Sequence, residues 1–200
     1  MLQYLFSRSL TFAEAAELAD ADGIKESIAT ATSAATYSGV DLDGTSTVGV
    51  VGSQTFERLA SWPTVSASSA AGAYTDESAV TFTGTWGGEI VTRTATIAGT
   101  DGNATFTADG PLDLGSVTSI SVEAHADTDG AFTFGWSGVG PRKGRSWILI
   151  AREDVDAGEL DVEFSNGQQD PNLSLTSGET LGAFVTRVLA TTTVDFTAYE

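Results

Sequence analysis

The chain of 200 residues contains no cysteine, a single histidine, one methionine and four prolines. Without cysteine there is no disulfide framework and no thiolate metal site. A Ser-His-Asp triad would have to use His125, and no G-x-S-x-G nucleophile elbow accompanies it. Neither G-x-x-x-x-G-K-[ST] nor a helix-opening G-x-G-x-x-G occurs, so nucleotide binding has no motif behind it. Positive charge is scarce as well. Nine Lys and Arg against 27 Asp and Glu give a formal net charge of −18, a field that opposes binding to nucleic acid. No apolar run approaches the ~18 residues of a membrane-spanning helix. The opening MLQYLFSRSLTF has too short an apolar run for a secretory signal and no Lys or Arg ahead of it. The expectation is a soluble protein with no membrane partner and no signal-directed export.

What the chain does hold is β-forming sequence. Aliphatic, aromatic and Ala residues make up 41%, enough for a real core despite the abundant Ser, Thr and Gly. The most informative stretch runs from Ala79 to Trp136. Short runs of Val, Thr, Ile and Phe alternate there with Gly-Gly, Asp-Gly-Asn, Asp-Gly-Pro and Asp-Gly. β-Branched and aromatic residues fit a pleated, half-buried surface, and Asp/Asn-Gly pairs suit tight turns. Val80 and Phe82 fall on one face, as do Val91, Ala95 and Ile97. Ile120, Val122 and Ala124 form a third set, and Phe132, Phe134 and Trp136 a fourth. Thr and Ser occupy most of the opposite positions. The pattern predicts a meander of four or five antiparallel strands with one wet face.

Around this core the chain divides into three sections. Residues 1–60 read as an extended arm, a short helix near 12–20 and leading strands. Thr11 and Glu14 fit a capping box for that helix, and Gly23 fits its stop. Strands are expected over Ile24–Thr32, Ser46–Val51 and Gln54–Leu59. Residues 61–140 carry the sandwich core, with Ser61-Trp62-Pro63 expected to break regular structure because Pro63 has no amide hydrogen. Gly138 to Gly144 (GVGPRKG) is the candidate boundary. Residues 141–200 form a second β section, with strands over Ser146–Ala151, Leu160–Phe164, Leu173–Leu175, Leu181–Ala190 and Thr191–Ala198. That section either packs on the sandwich or completes it. The fold class is all-β: an antiparallel β-sandwich, or two packed β domains, with an N-terminal arm and one short helix.

Candidate chemistry is thin. Three Asp-x-Asp-Gly tetrads end at Gly23, Gly44 and Gly130, and calcium favours carboxylates on turns. The flanking Asp and closing Glu of an EF-hand loop are missing in all three, so turn chemistry accounts for them. Trp62, Trp86, Trp136 and Trp147 could line a sugar site, but packing is the commoner use of tryptophan. Carboxylates are too many for any one pair to stand out as a glycosidase site. The reading assigns no catalytic residue, no cofactor and no metal. One feature stands against the acidic background: Arg142, Lys143 and Arg145, three of the nine basic residues, lie within four positions. They read either as a solvated hinge or as a docking point for an acidic patch on a neighbouring subunit.

Several phrases follow one another in a familiar order: Leu42-Asp-Gly44, Ser61-Trp-Pro63, TVSASSAAGAYTDESAVTFTGT, TRTATIAGTDGNATF, DLGSVTSISVEA and GAFTFGW. Over about residues 40–136, this succession resembles β-rich structural proteins from the head and tail modules of tailed phages and related viruses. Trp86-Gly-Gly departs from that pattern, where an Asp or Asn turn is usual, and so does the long N-terminal section. The resemblance implies a virion component, assembled in the host cytoplasm and working by contact. A capsid decoration or cement protein is the first expectation, and a neck or tail protein the second. A carbohydrate- or receptor-binding module is the third. It implies homo-oligomeric assembly and the major capsid protein or neck and tail proteins as partners. The arm (Leu2, Tyr4 and Phe6) and the cluster Arg142, Lys143 and Arg145 are then the candidate interface residues.

Overall fold

A computed structural model describes residues 9–11, 23–29, 34–39, 42, 48–51, 54–57, 59–69, 78–97, 104–124, 130–151, 160–170, 173, 179–189, 192 and 196–199. The expected helix and the arm residues Leu2, Tyr4 and Phe6 lie outside the described residues, as do His125 and most of the three Asp-x-Asp-Gly tetrads. Seventeen strands are described: β1 Ser9–Thr11, β2 Lys25–Ala29, β3 Ala35–Ser38, β4 Val48–Val51, β5 Gln54–Glu57 and β6 Ala60–Ser69. Then come β7 Ser78–Trp86, β8 Glu89–Ile97, β9 Ala104–Thr107, β10 Leu112–Asp113, β11 Ser119–Val122 and β12 Gly130–Gly140. The last are β13 Trp147–Ala151, β14 Val162–Phe164, β15 Gln169–Asp170, β16 Thr180–Val188 and β17 Phe196–Tyr199.

Two antiparallel sheets carry the core, an eleven-stranded one and a four-stranded one ordered β3-β11-β7-β8. A separate two-stranded ladder joins β4 to β5. The molecule is an all-β sandwich. Strand β7 shows how alternation builds the small sheet. Ser78, Val80, Phe82 and Gly84 are buried while the residues between them are half-exposed. Its neighbours turn Ala95, Ile97, Ile120 and Val122 into the same core. From the large sheet come Val65 and Ala67 of β6, Leu112 of β10, and Phe132, Phe134 and Trp136 of β12. The Phe82 and Phe134 rings meet across the layers edge-to-face, 6.1 Å between centroids and 73° between planes. Phe134 meets Phe132 in the same manner at 6.4 Å. Burying one such side chain stabilises the fold by about 1.5–3 kcal/mol, and ring geometry adds about 0.5–1.5 kcal/mol per pair.

On the other side of the small sheet the cross-strand neighbours are hydroxyl residues. One row runs Ser38–Ser119–Thr83–Thr92 and the next Thr36–Ser121–Thr81–Thr94. This is the wet face that the alternation predicts. Ala124 departs from its expected set and is exposed, because β11 ends at Val122.

The stretch Ala79–Trp136 is not a simple meander. Strands β7 and β8 form a hairpin, but β9, β10 and β12 belong to the large sheet, and β11 returns to pair with β7 and β3. Local turn signals define each strand without naming its partner, so a crossing between layers leaves no mark in the pattern.

Pro63 does not break the chain either. It sits inside the ten-residue β6, opposite Trp136 of β12. Its carbonyl accepts the amide hydrogen of Ala108 at 2.8 Å, one residue past the end of β9. The imide nitrogen of an extended residue faces the same side as its carbonyl, away from β12, so the β6–β12 ladder loses no bond.

The described strands of residues 141–200, β13 to β17, belong to the large sheet. Val139 of β12 pairs with Val188 of β16, which pairs with β13 and β14, and β13 in turn with β17. Trp147, Leu149, Leu160, Val162, Val185 and Phe196 belong to the same apolar cluster as Phe134. The GVGPRKG stretch is accordingly no open linker: Gly138 to Pro141 are buried, and only Lys143 and Gly144 at its tip are exposed.

Candidate functional site

Two places in the fold gather charged side chains with defined partners. The first is the tip of the β7–β8 hairpin. Trp86 pairs with Glu89 across Gly87 and Gly88, whose φ angles are 65° and 85°. Two successive positive φ values are what a two-residue type I′ turn demands, and glycine adopts them without Cβ strain. Asp113 of β10, in the other sheet, is fully buried beneath this turn. Its carboxylate accepts the Gly87 amide at 2.9 Å, the Gly88 amide at 3.0 Å and the Thr85 hydroxyl at 2.8 Å. Ser116 adds a further tie, accepting the Thr85 amide and donating to the Thr85 carbonyl. Bonds to an ionised acceptor are the strong kind, and three on one carboxylate fix the turn to the sheet below.

The β12–β13 turn closes over the same tip. Lys143 lays its stem against Gly87 and donates from Nζ to the Glu89 carboxylate at 2.8 Å. That hydrogen bond, with the attraction of the ammonium charge, holds the Glu89 carboxyl below its ordinary pKa. Arg142 is half-exposed and Arg145 exposed in the same turn, which the Arg145 amide closes by donating to the Arg142 carbonyl at 3.0 Å. Beside Glu89 stands Ile90, 81% exposed and the one large apolar side chain so exposed among the described residues.

The second place is the β-bulge in β12. Its register against β6 slips between Ser137 and Val139, which leaves Gly138 as the extra residue with φ 68°. Arg187 of β16 is buried beside it. The guanidinium lies over the Trp62 ring at 4.2 Å and donates from Nη2 to the Ser137 carbonyl at 3.1 Å. The Glu163 carboxylate is 3.9 Å from Nη1. Burial pulls the Arg187 pKa down to about 10, and Glu163 works in the opposite direction. The group stays cationic at neutral pH. Trp62 is therefore occupied as a platform for arginine, while Trp136 and Trp147 are buried in the core.

A shallow recess of about 330 Å³ lies between β6, β9 and β12, lined by Ser66, Ser68, Ala67, Ala104, Thr105 and Thr133. Ser66 and Thr105 bond each other there at 2.9 Å. Its described lining carries hydroxyls and methyl groups and no titratable side chain. Among the described residues no three His, Cys, Asp or Glu side chains gather as metal ligands.

Of the candidate interface residues, Arg142, Lys143 and Arg145 share the β12–β13 turn, from which Lys143 reaches the hairpin tip. The sequence does not point to Asp113, Glu89, Ile90 or Arg187 as members of these sites. A hint exists for Asp113, an acid between Leu112 and Leu114 and hence on a run too apolar for a solvated face. The chain matches no protein-family model, and no curated protein or solved structure is similar to it.

Proposed function

We propose that this protein is a structural component of a tailed-virus particle, first of all a capsid decoration or cement protein. The observation that carries the reading is the braced hairpin tip. Asp113, Ser116 and Lys143 tie a projecting turn to both sheets, and the exposed groups at its end are suited to contact rather than to chemistry. A protein that works by contact gains from rigid surface elements, because little ordering entropy is then lost on docking. Asp113 and Arg187 are engaged in holding strands together. The succession of strand and turn phrases over residues 40–136 supports the same reading. A neck or tail position in the same particle is the alternative placement, and the partners are other virion proteins.

The test is particle composition. Particles purified on a density gradient should contain this chain in a fixed ratio to the major capsid protein, measured by quantitative mass spectrometry. Removing the gene should lower the temperature at which heads lose their DNA. Particles lacking the chain, with unchanged heat resistance on its deletion, would contradict the proposal.

A further inference from the structure

Among the described strands β8 ends the small sheet, with β7 on one side of it and no strand on the other. In a two-residue hairpin Trp86 and Glu89 form the bonded pair, so Glu89, Val91 and Arg93 turn their backbone groups toward β7. Those of Ile90, Thr92 and Thr94 point outward instead. Asp109 accepts the Thr94 amide on its carboxylate and donates its own amide to the Thr94 carbonyl, each at 3.0 Å. That contact closes one end of the edge, and the Gly87-Gly88 turn closes the other. Between them lies the open stretch Glu89-Ile-Val-Thr-Arg93. Ile90 is 81% exposed, Thr92 is exposed, and no described residue bonds their outward backbone groups. An open edge of this kind is a template for another strand.

We propose that this edge pairs antiparallel with β8 of a second copy, about a twofold axis through Val91, and joins the two small sheets into one. The strand is its own complement. Its two charges sit at either end with Val91 midway, so the axis sets Glu89 of each copy opposite Arg93 of the other. Both side chains lie on one face of the strand, where directly opposed unlike charges attract. Glu89 keeps 77% of its side chain exposed beside Lys143. Arg93 spends Nε on the Pro111 carbonyl at 3.0 Å, one of the five donors of a guanidinium. In the same register Ile90 of each copy meets Thr92 of the other and exchanges both backbone hydrogen bonds with it. The neighbouring registers fail on observed bonds. An axis through Thr92 needs the Thr94 groups that Asp109 holds, and it sets Arg93 against Val91. An axis through Ile90 needs the Gly88 amide that Asp113 holds, and it sets Glu89 against Val91. Charge complementarity thus selects a copy of this chain as the occupant, in an isologous contact. One strand edge buries little area, so the dimer is weak in dilute solution and gains weight where copies are crowded. The contact goes beyond the virion reading and belongs to the purified chain whatever particle contains it.

Sedimentation equilibrium of the full chain, up to millimolar concentration, tests it at an ionic strength that screens net charge beyond about 8 Å. The expected result is a monomer–dimer equilibrium with no larger species. Thr92→Pro removes an outward amide that the fold does not use, so it should keep the thermal melt and abolish the dimer. Glu89→Arg and Arg93→Glu each oppose like charges at both ends and should weaken dimerisation about tenfold or more. Mixed together, these two variants regain both unlike pairs and should form a heterodimer. The chain has no cysteine, so Val91→Cys reports the register. Two copies of that residue would stand about 4.5 Å apart between Cα atoms, within disulfide reach, and should cross-link under mild oxidation. Thr96→Cys should not. The proposal is overturned if the wild type stays monomeric throughout, or if a folded Thr92→Pro dimerises as the wild type does. It is equally overturned if the mixed charge variants associate no better than each alone. Presence in particles with a monomeric purified chain would remove this inference and leave the virion role standing, and a dimer absent from particles would do the reverse.

Discussion

The Asp113 carboxylate, in the large sheet, accepts the backbone amide of Gly87, in the hairpin turn of the small sheet, at 2.9 Å. This bond and its two companions anchor the turn to the sheet beneath it, beside the ties from Ser116 and Lys143. Asp113→Ala would leave the Gly87 and Gly88 amides and the Thr85 hydroxyl without their acceptor. The expected loss is about 2–4 kcal/mol, read by urea denaturation, with faster amide exchange at Gly87 and Gly88. A change under about 0.5 kcal/mol would mean that the turn stands without its anchor.

The hairpin itself was legible in the sequence, because Trp86-Gly87-Gly88-Glu89 between alternating strands has one common solution. Its anchor was not. Asp113 is more than twenty residues further on and in another sheet, and Lys143 further still. Alternation fixes which face each residue takes: Val80, Phe82, Phe132 and Phe134 all lie where their period-2 pattern puts them. It does not fix which strand lies alongside, so the β8-to-β9 crossing and the return of β11 are tertiary facts. Pro63 shows the complementary limit. The rule against proline in strands concerns a missing donor, and whether that donor is needed depends on where the neighbouring ladder ends.

Phe134 touches rings from both layers, Phe82 across the sandwich and Phe132 along its own strand. Phe134→Ala is expected to cost about 3–5 kcal/mol in chemical denaturation. Phe134→Leu keeps most of the volume and should cost less.

Gly138 holds the β12 bulge at φ 68°, and a Cβ there would stand 2.6 Å from the Val188 carbonyl oxygen. Gly138→Ala therefore adds both backbone strain and a clash. The cost should exceed about 1–3 kcal/mol and show as a lowered melting temperature. The same substitution at Gly144, whose φ is 79° with open space around it, should bring the strain without the clash and cost less.

Glu89 and Lys143 give a prediction that depends on pH. The folded carboxyl has a depressed pKa, so the pair's contribution is present above the ordinary value of 4.5 and is lost as pH falls through the folded pKa. Lys143→Met should raise the Glu89 pKa toward 4.5, measured by NMR titration of its side chain. High salt should shrink the shift in the wild type, since the pair is exposed. A Glu89 titration unchanged by the substitution would show that the tip is not braced by this ion pair.

The central claim is that the molecule is a repeated tile of a virus particle. Electron cryomicroscopy of purified particles carrying a labelled copy of the chain tests it most directly. The expected result is label density at symmetry-related positions on the head, or as rings at the neck or tail, with the β-sandwich resolved at each site. Label found only on host surfaces or in soluble fractions, with none on particles, would contradict it.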